Sequence, residues 1–121
     1  GEKRPARLVA LEGEAIVGHV ELRIHAHTTQ WAELSSLVVT EARRGEGIGR
    51  RLVGAAQRLA QRYGCDELRL QVTAQDEALI AMYGRSGFTP LGRPISRYLW
   101  MRLPLRAQRA APVEEQVSVP L

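Results

Sequence analysis

The spacing of apolar residues changes along this chain, and each change marks an element. RLVALE (7–12) and AIVGHVELRI (15–24) read as two strands joined by a turn at Gly13 and Glu14. In the second, Val20, Leu22 and Ile24 alternate with His19, Glu21 and Arg23, which gives the strand one apolar face. HAHTTQ (25–30) is a polar loop. WAELSSLVV (31–39) is a third strand, and its closing apolar run predicts burial on both faces there. TEARRGEG (40–47) is a turn. Over 48–63 the period lengthens. Ile48, Leu52, Ala55, Ala56 and Leu59 recur at three- and four-residue spacing, as on an amphipathic helix, with Gly64 placed to cap its end. ELRLQV (67–72) is a fourth strand, 76–86 a short helix stopped by Gly87, FTPLG (88–92) an extended piece, and RYLWMRL (97–103) a last strand. The order β-β-β-α-β-α-β-β predicts an α+β (mixed α/β) layer. One domain is expected over 1–104. Residues 105–121 carry prolines without periodicity and predict a tail that is mobile or docked on a partner.

Composition narrows the class. At 121 residues, with 45% apolar and 25% charged residues, the chain fits one globular domain. No apolar run reaches membrane-spanning length, and the first residues lack the apolar centre of a signal peptide, so a cytoplasmic protein without membrane contact is expected. The single cysteine, Cys65, excludes an internal disulfide and reads as a buried, inert thiol. The net charge is +4, and every basic residue but Lys3 is arginine. Aromatic residues make up only 5%, and no basic tract is interleaved with them, which disfavours a nucleic-acid partner.

The candidate chemistry sits in RRGEGIGRRL (43–52), between a strand end and a helix start. The first N–H groups of a helix lack internal partners and carry partial positive charge, so they suit a phosphate. Gly45, Gly47 and Gly49 leave backbone bare there, and Arg44 and Arg50 can add charge-assisted bonds. The stretch is neither a Walker A loop, since it has no lysine, nor the dinucleotide G-x-G-x-x-G, whose third glycine fails in either register. The alternative is a glycine-rich turn with no ligand.

Arg44-Gly45-Glu46-Gly47-Ile48-Gly49 resembles R/Q-x-x-G-x-G/A, the acetyl-coenzyme A loop of the GNAT superfamily of N-acetyltransferases. Leu37-Val38-Val39 resembles the strand end before that loop, Leu70-Gln71-Val72 the next strand, and Met82-Tyr83 with Gly87-Phe88 the family's Leu-Tyr-x-x-x-Gly-Phe. The resemblance implies a mostly antiparallel twisted sheet, splayed into a V between the strands at 31–39 and 67–73 and flanked by helices. It implies acetyl transfer from acetyl-coenzyme A to a primary amine of a small molecule or peptide, in a bacterial style, without a covalent intermediate. Backbone groups of Leu37, Val38 and Val39 would hold the pantetheine arm, and N–H groups of Arg44, Gly45, Glu46, Gly47, Ile48, Gly49 and Arg50 the pyrophosphate. Asp76 stands where the family often has asparagine near the pantetheine; it also reads as a helix N-cap. Tyr83 matches the tyrosine near the coenzyme sulfur, a proton donor to the leaving thiolate; its alternative is a core aromatic.

The attacking amine must lose a proton. Glu33 is the first candidate base, alternating with Ser35 and Leu37 on the strand that leads to the thioester; the alternative is a solvated strand carboxylate. Glu21, His25 and His27 are weaker candidates. His25 and His27 lack a third ligand nearby, so no metal is expected. Trp31 and Trp100 read as acceptor-pocket, core or interface residues. The family's opening strand and helices are not matched before Arg7, which leaves three alternatives: those elements are absent, the sequence is part of a longer protein, or a second subunit, as in a homodimer, completes the acceptor side. The rival reading is a catalytically inactive or regulatory acyl-coenzyme A-binding module.

Overall fold

The computed structural model describes residues 3–25 and 31–105. β1 (Lys3–Glu12) and β2 (Ala15–His25) form the expected hairpin. Pairing runs on to Lys3 opposite His25, beyond the Arg7 start that alternation predicts, because backbone pairing needs no apolar period. β3 (Trp31–Val39) pairs antiparallel with β2. α1 (Ile48–Arg62) then crosses to β4 (Glu67–Thr73), which pairs parallel with β3. α2 (Glu77–Arg85) leads to the short β5 (Thr89–Pro90) and to β6 (Tyr98–Pro104). The sheet order is β1-β2-β3-β4-β6-β5, antiparallel throughout except at β3–β4. It is the mixed α+β layer that the sequence predicts.

Register stacks the apolar residues in rows. Leu22 lies opposite Leu34, Leu34 opposite Leu70, and Leu70 opposite Met101. The next row is Ile24, Ala32, Leu68 and Leu103. All eight are buried. Leu52, Val53, Ala56 and Ala60 of α1 and Tyr83 of α2 join the same cluster, so both helices cover this face of the sheet. The run 37–39 is not buried on both sides: Leu37 and Val39 turn toward the helices, whereas Val38 is 48% exposed on the other face. That face carries no helix among the described residues.

Both helices end in the same hydrogen-bonded motif. Cys65 N–H donates to Ala60 C=O and Gly64 N–H to Gln61 C=O, while Phe88 N–H donates to Tyr83 C=O and Gly87 N–H to Gly84 C=O, all at 3.0 Å. At Gly87 the motif needs a left-handed backbone, φ +102°, and a Cβ there would come within 3.0 Å of Leu103 Cδ1. Leu105, placed by sequence at the start of the tail, is buried, and its N–H donates to Asp66 C=O at 2.7 Å. Residues 106–121 lie outside the described residues. No helix among those described is long and apolar enough to cross a membrane.

The helix-free face is tied together by charge and rings. Glu67 accepts from Arg102 Nε at 2.9 Å and from Arg69 Nε. The Arg69 guanidinium lies over Trp31, 4.7 Å from the ring centroid, and Trp31 meets Trp100 edge-on at 6.4 Å. Burial pushes the Glu67 carboxyl up, but the hydrogen bonds and charges of Arg69 and Arg102 outweigh it and hold the group below its ordinary 4.5. Glu67 therefore contributes stability that is complete above pH 4.5 and is lost as pH falls through its lower folded value. Glu67→Gln is expected to cost about 1 kcal/mol at pH 7. Urea midpoints of the two proteins should converge as the pH falls through that lowered folded value; a constant gap would exclude an ionised clasp.

Candidate functional site

β3 and β4 pair over only four positions, from Trp31 opposite Glu67 to Leu34 opposite Leu70. Beyond them the strands part. The cause lies on the other side of β3. Three residues of β2, from His19 to Glu21, are matched by four of β3, from Val38 to Ser35. The extra residue makes a bulge, and Ser36 takes a left-handed backbone with φ +56°. A bulge bends its strand and increases the local twist, which swings residues 37–39 away from β4. β2 keeps hold of them, with Val38 opposite His19 and Val39 opposite Gly18. β4 follows β6 instead, as far as Thr73 opposite Tyr98. The result is a fork in which the inner edge of β3 has no strand beside it, a place where an extended ligand can take backbone hydrogen bonds.

The glycine loop closes the top of the fork. A 3-10 turn (Glu41–Arg43) precedes it, and Gly47 is the N-cap of α1, with φ +85° and no side-chain cap. Gly45 has φ +82°. A Cβ at Gly45 or Gly47 would meet nothing within 4 Å, so these positions want glycine for its backbone conformation and not for lack of room. Gly49 is helical and differs. Its Cβ would lie 3.7 to 3.9 Å from Val39, Leu37 and Met82, at the bottom of the crevice between β3 and α2. Arg44 Nε donates to Val39 C=O at 3.1 Å and fixes the loop to the strand end. Arg43 pairs with Glu12 of the hairpin and with Glu46 at 3.5 Å.

Loop, strand end and α2 enclose a cleft of about 650 Å³. Leu37, Val38, Val39, Arg44, Gly45, Gly47, Ile48, Gly49, Arg50 and Asp76 all line it, so ten of the residues proposed from sequence meet there. Arg43, Leu79, Met82 and Arg85 line it too and had no binding role assigned from the sequence. Asp76, Leu79, Met82 and Arg85 follow a three-residue spacing along one side of α2, a signal that the four-residue pair Leu79 and Tyr83 obscures. Four arginines against one aspartate make the cleft electropositive. Bare helix N–H groups, positive charge and an unpaired strand edge fit a diphosphate joined to an extended amide chain, as in coenzyme A.

Three predicted residues stand apart from the cleft lining. Glu46 turns to Arg43. Glu33 is half-buried on the helix-free face, opposite Arg23 and Arg69. The bulge at Ser36 breaks the alternation, so Glu33 and Ser35 share that face while Leu37 turns to the helices. Tyr83 is 5% exposed and packs edge-on against Phe88 at 5.5 Å. Burial, and then the charge of Asp76, push its phenol up to about 12. The Trp31–Trp100 contact belongs to the helix-free face. His27 lies outside the described residues, and among those described no group of three His, Cys, Asp or Glu could hold a metal ion.

Asp76 Oδ1 accepts from Leu79 N–H at 3.1 Å, which makes it the cap of α2 as well as a cleft residue. Asp76→Ala should therefore cost about 1 kcal/mol, whereas Asp76→Asn, which still offers an oxygen, should stay within a few tenths. Thermal melts of both variants check this; equal losses would mean that the cap carries no weight.

Comparison with known proteins agrees with this geometry. The sequence profile of the acetyltransferase (GNAT) family matches residues 1–88. The chain is 38% identical over 85 residues to mycothiol acetyltransferase of Jonesia denitrificans, covering 70% of this chain and 27% of that protein. It is 29% identical over 93 residues to N-alpha-acetyltransferase 30 of Schizosaccharomyces pombe, covering 75% of this chain and 62% of the relative. The crystal structure of PaiA N-acetyltransferase from Thermoplasma acidophilum in complex with coenzyme A superposes with a TM-score of 0.75 at 25% identity, over 83% of this chain and 60% of that one. The chain spans about a quarter of the length of the first curated relatives it matches. The forked sheet, the glycine loop at the head of α1 and the profile over most of the chain lead to one assignment: this chain belongs to the acetyltransferase (GNAT) family.

Proposed function

We propose that the chain transfers an acetyl group from acetyl-coenzyme A to a primary amine by direct attack on the thioester. The observation that carries this reading is the meeting, in one cleft, of the unpaired edge of β3 and the uncapped N-terminus of α1. N–H groups of residues 44–50 hold the pyrophosphate, and Arg44, Arg50 and Arg85 add charge. Backbone groups of Leu37, Val38 and Val39 pair with the pantetheine amides as an added strand would, and one N–H polarises the thioester carbonyl. Glu33, directly or through water, takes the proton that the amine must lose before it attacks. The amine nitrogen then bonds to the carbonyl carbon, the carbon–sulfur bond breaks, the nitrogen sheds its second proton to water, and Tyr83 donates a hydrogen bond to the departing thiolate. A phenol pushed up to about 12 keeps its proton throughout the neutral range.

The second reading is a coenzyme-binding module without turnover. Tyr83 supports it, being 5% exposed and not part of the cleft lining. The names of the relatives agree on acetyl transfer and differ in the acceptor, so the acceptor must be sought on this chain's own surface.

Two variants test the reading. Gly47→Glu places a carboxylate at the pyrophosphate position and is expected to abolish coenzyme A binding in a calorimetric titration. Its strained backbone costs about 1 kcal/mol in either substitution, so Gly47→Ala serves as the control and should still bind. Undiminished binding by Gly47→Glu would remove the cradle. Tyr83→Phe should lower kcat by about 10- to 100-fold and leave coenzyme affinity unchanged; an unaltered kcat would remove Tyr83 from the reaction.

A further inference from the structure

The helix-free side of the fork has a chemistry of its own. Strand register decides which residues face it. Val38 lies opposite His19 and is 48% exposed. Across the gap, Tyr98 of β6 lies opposite Thr73 and is 42% exposed. Ile95 is bridged to Tyr98, which puts it on the same face, and is 69% exposed. The bridge is a closed pair of hydrogen bonds, Ile95 N–H to Tyr98 C=O at 2.8 Å and Tyr98 N–H to Ile95 C=O at 3.0 Å, around a tight turn in which Ser96 has φ +58°. Exposed apolar side chains therefore stand on both arms of the fork, with the backbone fixed at Ile95 and Tyr98.

Lower on β3, on the same face, lies Glu33, the proposed base, half-buried and opposite Arg23 and Arg69. Its carboxylate would take the acceptor nitrogen. Farther out, Arg93 and Arg97 flank Ile95 in the exposed segment 91–98, which contains no acidic residue. A second ammonium on the acceptor would meet that positive charge.

We propose that the acceptor is a monoamine carrying a large apolar group, with the nitrogen at Glu33 and the apolar group toward Val38, Ile95 and Tyr98, and that polyamines are rejected. The proposal rests on the acyl-transfer reading for turnover but not for binding. Removing apolar surface from water supplies the affinity, and the arginines supply the discrimination.

The experiment has two arms on the full chain. In the first, kcat/KM is measured with acetyl-coenzyme A for 2-phenylethylamine and for spermidine. A preference of about tenfold or more for the first is expected, the scale of one well-filled apolar contact. Ile95→Asp, on an exposed turn away from the coenzyme cleft, should erase that preference by raising the KM for 2-phenylethylamine, with coenzyme affinity unchanged; Tyr98→Ser should act in the same direction. Spermidine turned over as well or better, or a ratio untouched by both variants, overturns the proposal. In the second arm the two amines are titrated into the complex with desulfo-coenzyme A, read by NMR shifts of the tyrosine and tryptophan rings. Selective 2-phenylethylamine binding without turnover of any amine would retain this specificity and defeat the acyl-transfer reading. Equal binding of both amines, or none, defeats the specificity itself.

Discussion

One inserted residue in β3 governs the rest of the molecule. Without the bulge at Ser36, β3 and β4 would pair to their ends and the sheet would close. With it, β3 stays bonded to β2 while β4 stays bonded to β6, and the two halves of the sheet diverge beyond Leu34 and Leu70. The rows of core side chains hold the strands together below that point. Above it, an unpaired strand edge would expose backbone groups as a liability. The glycine loop and α2 turn the same gap into a walled cleft.

The cleft is kept open by the way α1 is seated. Gly18 is where α1 presses closest on the sheet: a Cβ there would come within 3.2 Å of Leu52, Ile48 and the Val38 carbonyl. That close approach brings the first turn of α1 against residues 37–39. Arg44 then binds the Val39 carbonyl, and Arg43 ties the loop to Glu12 at the tip of the β1–β2 hairpin. The uncapped N–H groups of α1 thus point into a gap framed by covalently distant pieces of chain.

Most of this was legible in the sequence because it rests on period and on glycine. Alternation at Val20, Leu22 and Ile24, the three- and four-residue spacing from Ile48, and the stop at Gly87 each found their element. The loop 44–50 was legible because few residues other than glycine accept its backbone. The bulge was not. Serine carries no marker for a left-handed backbone, and the slip exists only in the pairing of two strands. The same slip undid the expected shared face of Glu33, Ser35 and Leu37, since alternation fails across an inserted residue. The rest of the cleft side of α2 beyond Asp76 was missed for a different reason. Leu79, Met82 and Arg85 mix aliphatic carbon, sulfur and charge, so no hydrophobic period reveals them.

Tyr83 shows how burial shapes what a donor can do. Its phenol, near 12 in this environment, is a weaker acid than an ordinary thiol. A thiol has a pKa of about 8.5, so full transfer of the phenolic proton to a departing thiolate would be unfavourable by a factor of roughly a thousand. A hydrogen bond from the same phenol carries no such penalty, and it strengthens as negative charge grows on sulfur in a site that excludes water. The low dielectric that holds the proton on Tyr83 also makes that bond worth more. Within the proposed reaction, then, Tyr83 stabilises the leaving thiolate by donating a hydrogen bond and keeps its proton. In the same proposal the ammonium proton leaves by Glu33, on the opposite, helix-free face. The proposed donor and base then stand on opposite faces of the sheet, and the fork is the opening between them.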